Sequence, residues 1–122
     1  MEDRDLLRQL AMGRVAVGAA AVVAPGLALR TWLGSNGADG GARVLGRAFG
    51  IRDALLGVGT LQALDRDEHV KEWIVAGVVA DATDLTATVL AARSLPKSRV
   101  ALMLATAGAA TAIGAVLASR WG

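Results

Sequence analysis

At 122 residues the chain has the length of one domain; hydrophobic residues make up 54% of it but aromatic residues only 3%, with one Phe and no Tyr. Its bulk comes from Ala, Val, Leu and Gly, the composition of helices that pack closely within lipid. A formal net charge of +2 with no Lys/Arg run among aromatics argues against nucleic-acid binding, the lack of Cys excludes disulfide and thiolate chemistry, and the single His excludes a multi-histidine metal site.

In chain order, Met1 to Gln9 is charged and polar and reads as a surface turn or short helix. A charged start before an apolar run is also the layout of a signal peptide, but Glu2, Asp3 and Asp5 make this start acidic. The first apolar segment covers approximately 10–30, carries Arg14 and should kink or end at Pro25-Gly26. A turn-rich loop, Ser35 to Gly41, precedes the second segment at 43–64. The run from Asp65 to Glu72 is a charged connection to the third segment at 72–92. The turn from Arg93 to Ser98 holds Pro96, well placed to start the fourth segment at 97–119. From Val100 to Ser119 that segment has no charge, the strongest transmembrane signal in the chain.

The predicted fold is all-α: one domain over 1–122, an integral membrane four-helix up-down bundle with short connections. Trp32, Trp73 and Trp121 fall at helix ends, where an interfacial belt puts them. Gly46-x-x-x-Gly50 and Gly108-x-x-x-Ala112 permit close helix approach. A soluble bundle is the rival, but the charges are too few to give each helix a polar face. Lys and Arg divide five to five between the two sides, so the positive-inside rule sets no orientation. The expected location is the plasma (inner) membrane of a bacterium.

The second segment is where chemistry concentrates. It is long enough to span a bilayer yet carries Arg47, Arg52 and Asp53. On a helix, Gly46, Gly50, Asp53 and Gly57 share one narrow face, a smooth stripe with a carboxylate in its middle. Asp81 and Asp84, three apart on the third segment, lie near the same depth with Gly77 and Thr88 beside them. Arg52 is the cation at that level; Arg14 and Arg47 are shallower, able to reach inward or to snorkel to water. An unpaired charge at such depth costs several kcal/mol, by rough insertion scales, so pairing inside the bundle is expected. With carboxylates in excess of cations, one Asp is expected to keep its proton as a general acid while a neighbour acts as base.

The predicted catalytic residues are therefore Asp53, Asp81 and Asp84, with Arg14, Arg47, Arg52, Phe49, Trp73 and Thr88 binding or orienting a substrate. The leading expectation is an enzyme without metal or other cofactor, working on a lipid- or terpenoid-like molecule by cyclisation, isomerisation or epoxide opening. It expects an enclosed pocket between helices two and three, open towards lipid. Its partners are a hydrophobic small molecule or lipid and the membrane, without nucleic acid, and with homo-oligomers open. A proton-coupled carrier or channel subunit, and a structural subunit in which the charges only lock the helices in register, are the alternatives. Thr83, Thr86, Thr88, Thr106 and Thr111 are expected to bond to their own helix carbonyls.

The spacing of Arg14, the run Arg47-Ala48-Phe49-Gly50-Ile51-Arg52-Asp53 within RxxGxRDxxLG, and the set Trp73, Asp81, Asp84 resembles small four-helix membrane proteins of actinobacteria, similar in layout to the DoxX-like group. That resemblance implies a four-helix membrane bundle. At the level of class alone it points to cyclases and related enzymes of lipid or terpenoid metabolism.

Overall fold

The computed structural model describes residues 2–24, 40–94 and 97–121. Among them are four α-helices: α1 (Asp3–Val23), α2 (Gly40–Arg66), α3 (Val70–Ala91) and α4 (Lys97–Arg120), with a 3-10 turn (Ala92–Ser94) before α4. The predicted segments are all helical where described, but α1 starts at Asp3 instead of near residue 10. The charged start is helical because its charges suit a first turn. Asp3 and Asp5 face the helix dipole there. Arg4 and Arg8 reach across to Asp67 and Asp65 at 3.0 and 3.2 Å. The expected kink at Pro25-Gly26, the loop from Ser35 and Trp32 lie outside the described residues.

The charged connection also shortens. Helix α2 runs on to Arg66 and closes with a Schellman motif: the Glu68 and Asp67 N–H groups donate to the carbonyls of Ala63 and Leu64 at 3.1 and 3.3 Å. Asp67 takes the left-handed conformation this requires, with φ 54°. Only 67–69 remains as the link between helices.

The helices alternate in direction. Helix α1 packs along α2, α4 along α3, and α2 meets α3 over a shorter stretch. At the end that carries the 67–69 link all four meet around Leu7, Ala63, Leu64, Val70, Ile74 and Leu117, with Trp73 and Trp121 packed on that cluster. Ion pairs Arg4–Asp67, Arg8–Asp65 and Arg120–Asp3 rim this closed end.

Glycine decides how close α1 and α2 come. A Cβ on Gly50 would lie 2.6 Å from the Gly18 carbonyl oxygen, and one on Gly57 would lie 2.5 Å from that of Ala11. The small-residue stripe of α2 thus lets two backbones touch. The outward faces are apolar: Met12, Val17, Ile51, Leu55, Val58, Val75, Val79, Ile113 and Val116 are all exposed. Helices α1, α3 and α4 are long and apolar enough to cross a membrane. Helix α2 carries Arg47, Arg52 and Asp53 and packs between α1 and α3, as α3 packs between α2 and α4.

Candidate functional site

Eleven residues into α1, Arg14 leaves the helix about 17 Å from its start, by the rise per residue. Asp53 on α2 and Asp81 on α3 stand at a similar distance from the closed end. The three meet. Arg14 Nη1 donates to Asp53 Oδ1 at 2.8 Å and to Asp81 Oδ1 at 3.1 Å, while Nη2 donates to Asp81 Oδ2. The fork on Asp81 is the bidentate geometry that makes guanidinium–carboxylate pairs strong. Nη2 also donates to the Gly77 carbonyl at 3.5 Å, and a Cβ on Gly77 would lie 3.0 Å from that nitrogen. Gly77 therefore makes room for the guanidinium. Asp53 and Asp81 side chains are 8% and 10% exposed, so both are sealed behind Arg14.

One turn further from the closed end a second pair forms: Arg52 Nη2 donates to Asp84 Oδ2 at 2.6 Å. The Phe49 ring lies over this guanidinium, 5.0 Å from Cζ. Arg52 and Asp84 are 38% and 31% exposed, far more than the inner carboxylates. Arg52 Nε is buried with no acceptor among the described residues.

The seam between α2 and α3 explains that difference. Gly59 and Ala63 of α2 are buried along the line that faces α3, and a Cβ on Gly59 would run into the Trp73 ring. The same line continues through Leu56 and Arg52 to Ala48 and Leu45, which are exposed, Leu45 at 71%. Opposite them on α3, Asp84 is followed by exposed Ala87 and Ala91 on one face. Trp73 packs against Gly59 at the closed end, while further along the outer edge of this line Leu45, Ala48, Ala87 and Ala91 are exposed and Thr88, on the inward face one turn past Asp84, is buried. The Arg52–Asp84 pair stands between these two stretches.

The cluster holds five of the nine predicted site residues directly, Asp53, Asp81, Asp84, Arg14 and Arg52, and a sixth, Phe49, stacks on it. Thr88 is buried next to Asp84 but spends its hydroxyl on the Asp84 carbonyl at 2.7 Å. Thr83, Thr86, Thr106 and Thr111 likewise donate to the carbonyl four residues back. Arg47 is not in the cluster: it is exposed, and its Nε donates to the Val22 carbonyl at 3.3 Å. It projects from α2 on the side of α1, away from Asp84. Trp73 acts at a distance, as the closure of the seam. The hub is Arg14, where the sequence reading gave the central place to Arg52. Its signal is Gly18, four residues on and on the same face, which brings α1 against α2.

The expectation is an enclosed pocket between helices two and three; what the described residues show there is a partly exposed Arg52–Asp84 pair. Of the cavities formed by described residues, the two best formed lie elsewhere. One, of about 280 Å³, is an apolar groove between α1 and α4 lined by Leu6, Ile113, Val116 and Leu117. The other, of about 190 Å³, lies under the 67–69 link beside Trp73, Arg66 and His69. Space beside Asp53 and Asp81 is consumed by the close approach of α1 and α2. No group of three or more His, Cys, Asp or Glu among the described residues is placed to hold a metal ion.

Two guanidiniums and three carboxylates thus share the middle of the bundle. In the inner set one arginine bonds both buried carboxylates; the outer pair is the more exposed. The chain was compared with protein-family models, curated proteins and solved structures, and matches none of them.

Proposed function

We propose that this is an integral protein of a bacterial plasma membrane that performs acid/base chemistry on a hydrophobic, lipid- or terpenoid-like molecule entering the α2–α3 seam from the bilayer. All four helices span in this reading. Helix α2 does so despite its charges because α1 and α3 supply their partners, and an intramembrane ionisable group is by default a functional candidate. The observation that carries the proposal is the Arg52–Asp84 pair between α2 and α3, about a third exposed while Asp53 and Asp81 nearby are buried.

Asp84 is the proton donor. Its Oδ2 is held by Arg52, so Oδ1 is the oxygen that takes up a proton from the cluster during turnover and passes it to the substrate. One proton brings three carboxylates and two guanidiniums to neutrality. Transfer from Asp84 to a double bond or an oxygen generates positive charge, which the carboxylate left behind stabilises. Return of a proton to Asp84 completes an isomerisation or cyclisation without net oxidation; attack by water completes an epoxide opening. Asp53 and Asp81 keep Arg14, and through it the three helices, in place.

The test uses solvent label. Protein in lipid nanodiscs is incubated with a bacterial lipid extract in heavy water, and in water carrying heavy oxygen for ring opening. High-resolution mass spectrometry should find a species that gains one solvent-derived label with the wild type and not with Asp84→Asn. Equal labelling with both proteins refutes the assignment. The sealed inner brace favours a second reading, a structural subunit. There Asp84→Asn lowers stability and changes no lipid.

A further inference from the structure

We infer that the end of the bundle opposite the 67–69 link binds the head groups of anionic phospholipids. The inference rests on the reading of this chain as a membrane protein and is independent of its acid/base chemistry.

Lys and Arg divide evenly between the two ends, but the carboxylates do not. Among the described residues, Arg43, Arg47, Arg93, Lys97 and Arg99 lie at the end away from the link, and no Asp or Glu lies there with them. The sequence between α1 and α2 adds one charge of each sign, Arg30 and Asp39, and leaves that balance unchanged. The closed end instead holds seven carboxylates against five Lys and Arg. There the cations already have anionic partners, since Arg4, Arg8 and Arg120 pair with Asp67, Asp65 and Asp3. At the far end Arg43, Arg47, Arg93 and Lys97 are exposed, with no described carboxylate at their level. The far end is therefore the one that gains from an external anion, and a phosphate suits the guanidinium fork.

The exposed apolar side chains set these cations at head-group level. The large ones run from Val44 to Val58 on α2, from Val75 to Leu90 on α3 and from Leu102 to Val116 on α4. Each run spans about 21–23 Å by the rise per residue. Arg43 lies one residue beyond that band, Arg93 and Arg99 three residues beyond it, and Lys97 five. Arg47 lies three residues inside the band, on a helix whose N-terminus is at this end and towards which its side chains lean. Its apolar stem can carry the guanidinium to the rim. There its Nε donates to the carbonyl of Val22 in the last turn of α1. The opposite edge of the band is different: Glu72 stands three residues beyond Val75. An apolar band edged on one side by cations alone fits a leaflet whose surface carries anionic phosphates.

The experiment titrates the purified protein in mild detergent with phosphatidylglycerol or phosphatidylcholine and reads the lipid-bound population by native mass spectrometry. Phosphatidylglycerol should bind at least about tenfold more tightly, since each cation near an anionic surface supplies about fivefold. The triple variant Arg43→Gln, Arg93→Gln, Lys97→Gln should lose most of that preference. The matched control Arg8→Gln, Arg66→Gln, Lys71→Gln removes the same charge from the closed end and should retain it. Circular dichroism checks that both variants are folded. No preference in the wild type, an unchanged preference in the first variant, or an equal loss in both overturns the inference. Alkaline carbonate extraction of cell membranes tests the underlying reading separately. A protein washed off the membrane refutes membrane integration and the head-group site with it, whereas a retained protein without lipid preference refutes the head-group site alone.

Discussion

Removal of the Arg14 guanidinium tests the core of the site. Arg14 is the sole cation on Asp53 and Asp81 among the described residues, and it makes one hydrogen bond to the first, two to the second and a longer one to Gly77. In Arg14→Met the side chain keeps its volume, but two carboxylates that are 8% and 10% exposed face each other uncompensated. Breaking a buried pair from one side costs about 3–5 kcal/mol, because the orphaned charge remains buried. The triple variant Arg14→Met, Asp53→Asn, Asp81→Asn removes the charge from every member. Replacing a complete buried pair with neutral groups is often close to neutral, so the triple variant should recover at least about 2 kcal/mol of the loss. Unfolding by sodium dodecyl sulfate in mixed micelles, followed by circular dichroism, measures both. An Arg14→Met protein as stable as the wild type refutes the bridge. A triple variant no more stable than the single one refutes the reasoning from charge.

Three further outcomes are expected. Gly50→Ala should lose about 1–3 kcal/mol, since its Cβ would lie 2.6 Å from the Gly18 oxygen, whereas Gly13→Ala, with open space at its Cβ, should gain up to about 1 kcal/mol from helix propensity; the same micelle titration reads both. Arg47→Ala should leave stability within about 0.5 kcal/mol, because the hydrogen bond Arg47 makes among the described residues goes to a backbone carbonyl. Asp67→Gly should be neutral to slightly stabilising in thermal unfolding: glycine relieves a φ of 54°, and the exposed Arg4 pair that is lost contributes about 0–1 kcal/mol.

The helices were legible because apolar length and charged breaks are local properties, and three of the four meet the requirement for crossing a membrane. The carboxylate level was legible for the same reason: counting residues from a helix end gives depth. What could not be read was rotation and reach. Arg14, Arg47 and Arg52 all interrupt apolar runs, and nothing local distinguishes the one that points outward. The answer lies in the α1–α2 register, set where Gly18 meets Gly50 and Gly57 meets Ala11. Those contacts turn Arg14 across the bundle to Asp81 and leave Arg47 on the rim. The start of α1 was misjudged because its charges look like a loop until Asp65 and Asp67 are brought opposite Arg8 and Arg4. The exposure of the Arg52–Asp84 pair was invisible for a similar reason. It depends on one bulky ring, Trp73, closing over Gly59 while small Ala48 and Ala87 leave the upper line unfilled.

Helix α2 uses its faces for opposite purposes, and the position of the exposed ion pair follows from that. Towards α1 its glycines remove every gap, so the charges on that side must be fully paired where they stand; a single arginine does this for two aspartates because its fork has donors to spare. Towards α3 the packing ends at Trp73, and the pair above it has no such enclosure. The remaining face, through Ile51, Leu55 and Val58, is apolar and exposed. Among the described residues Arg52 Nε is left without an acceptor and Asp84 stays 31% exposed, in contrast to the buried Asp53 and Asp81. In the acid/base reading we propose, this exposed pair at the level where carboxylates outnumber cations is the place where a proton would be handled.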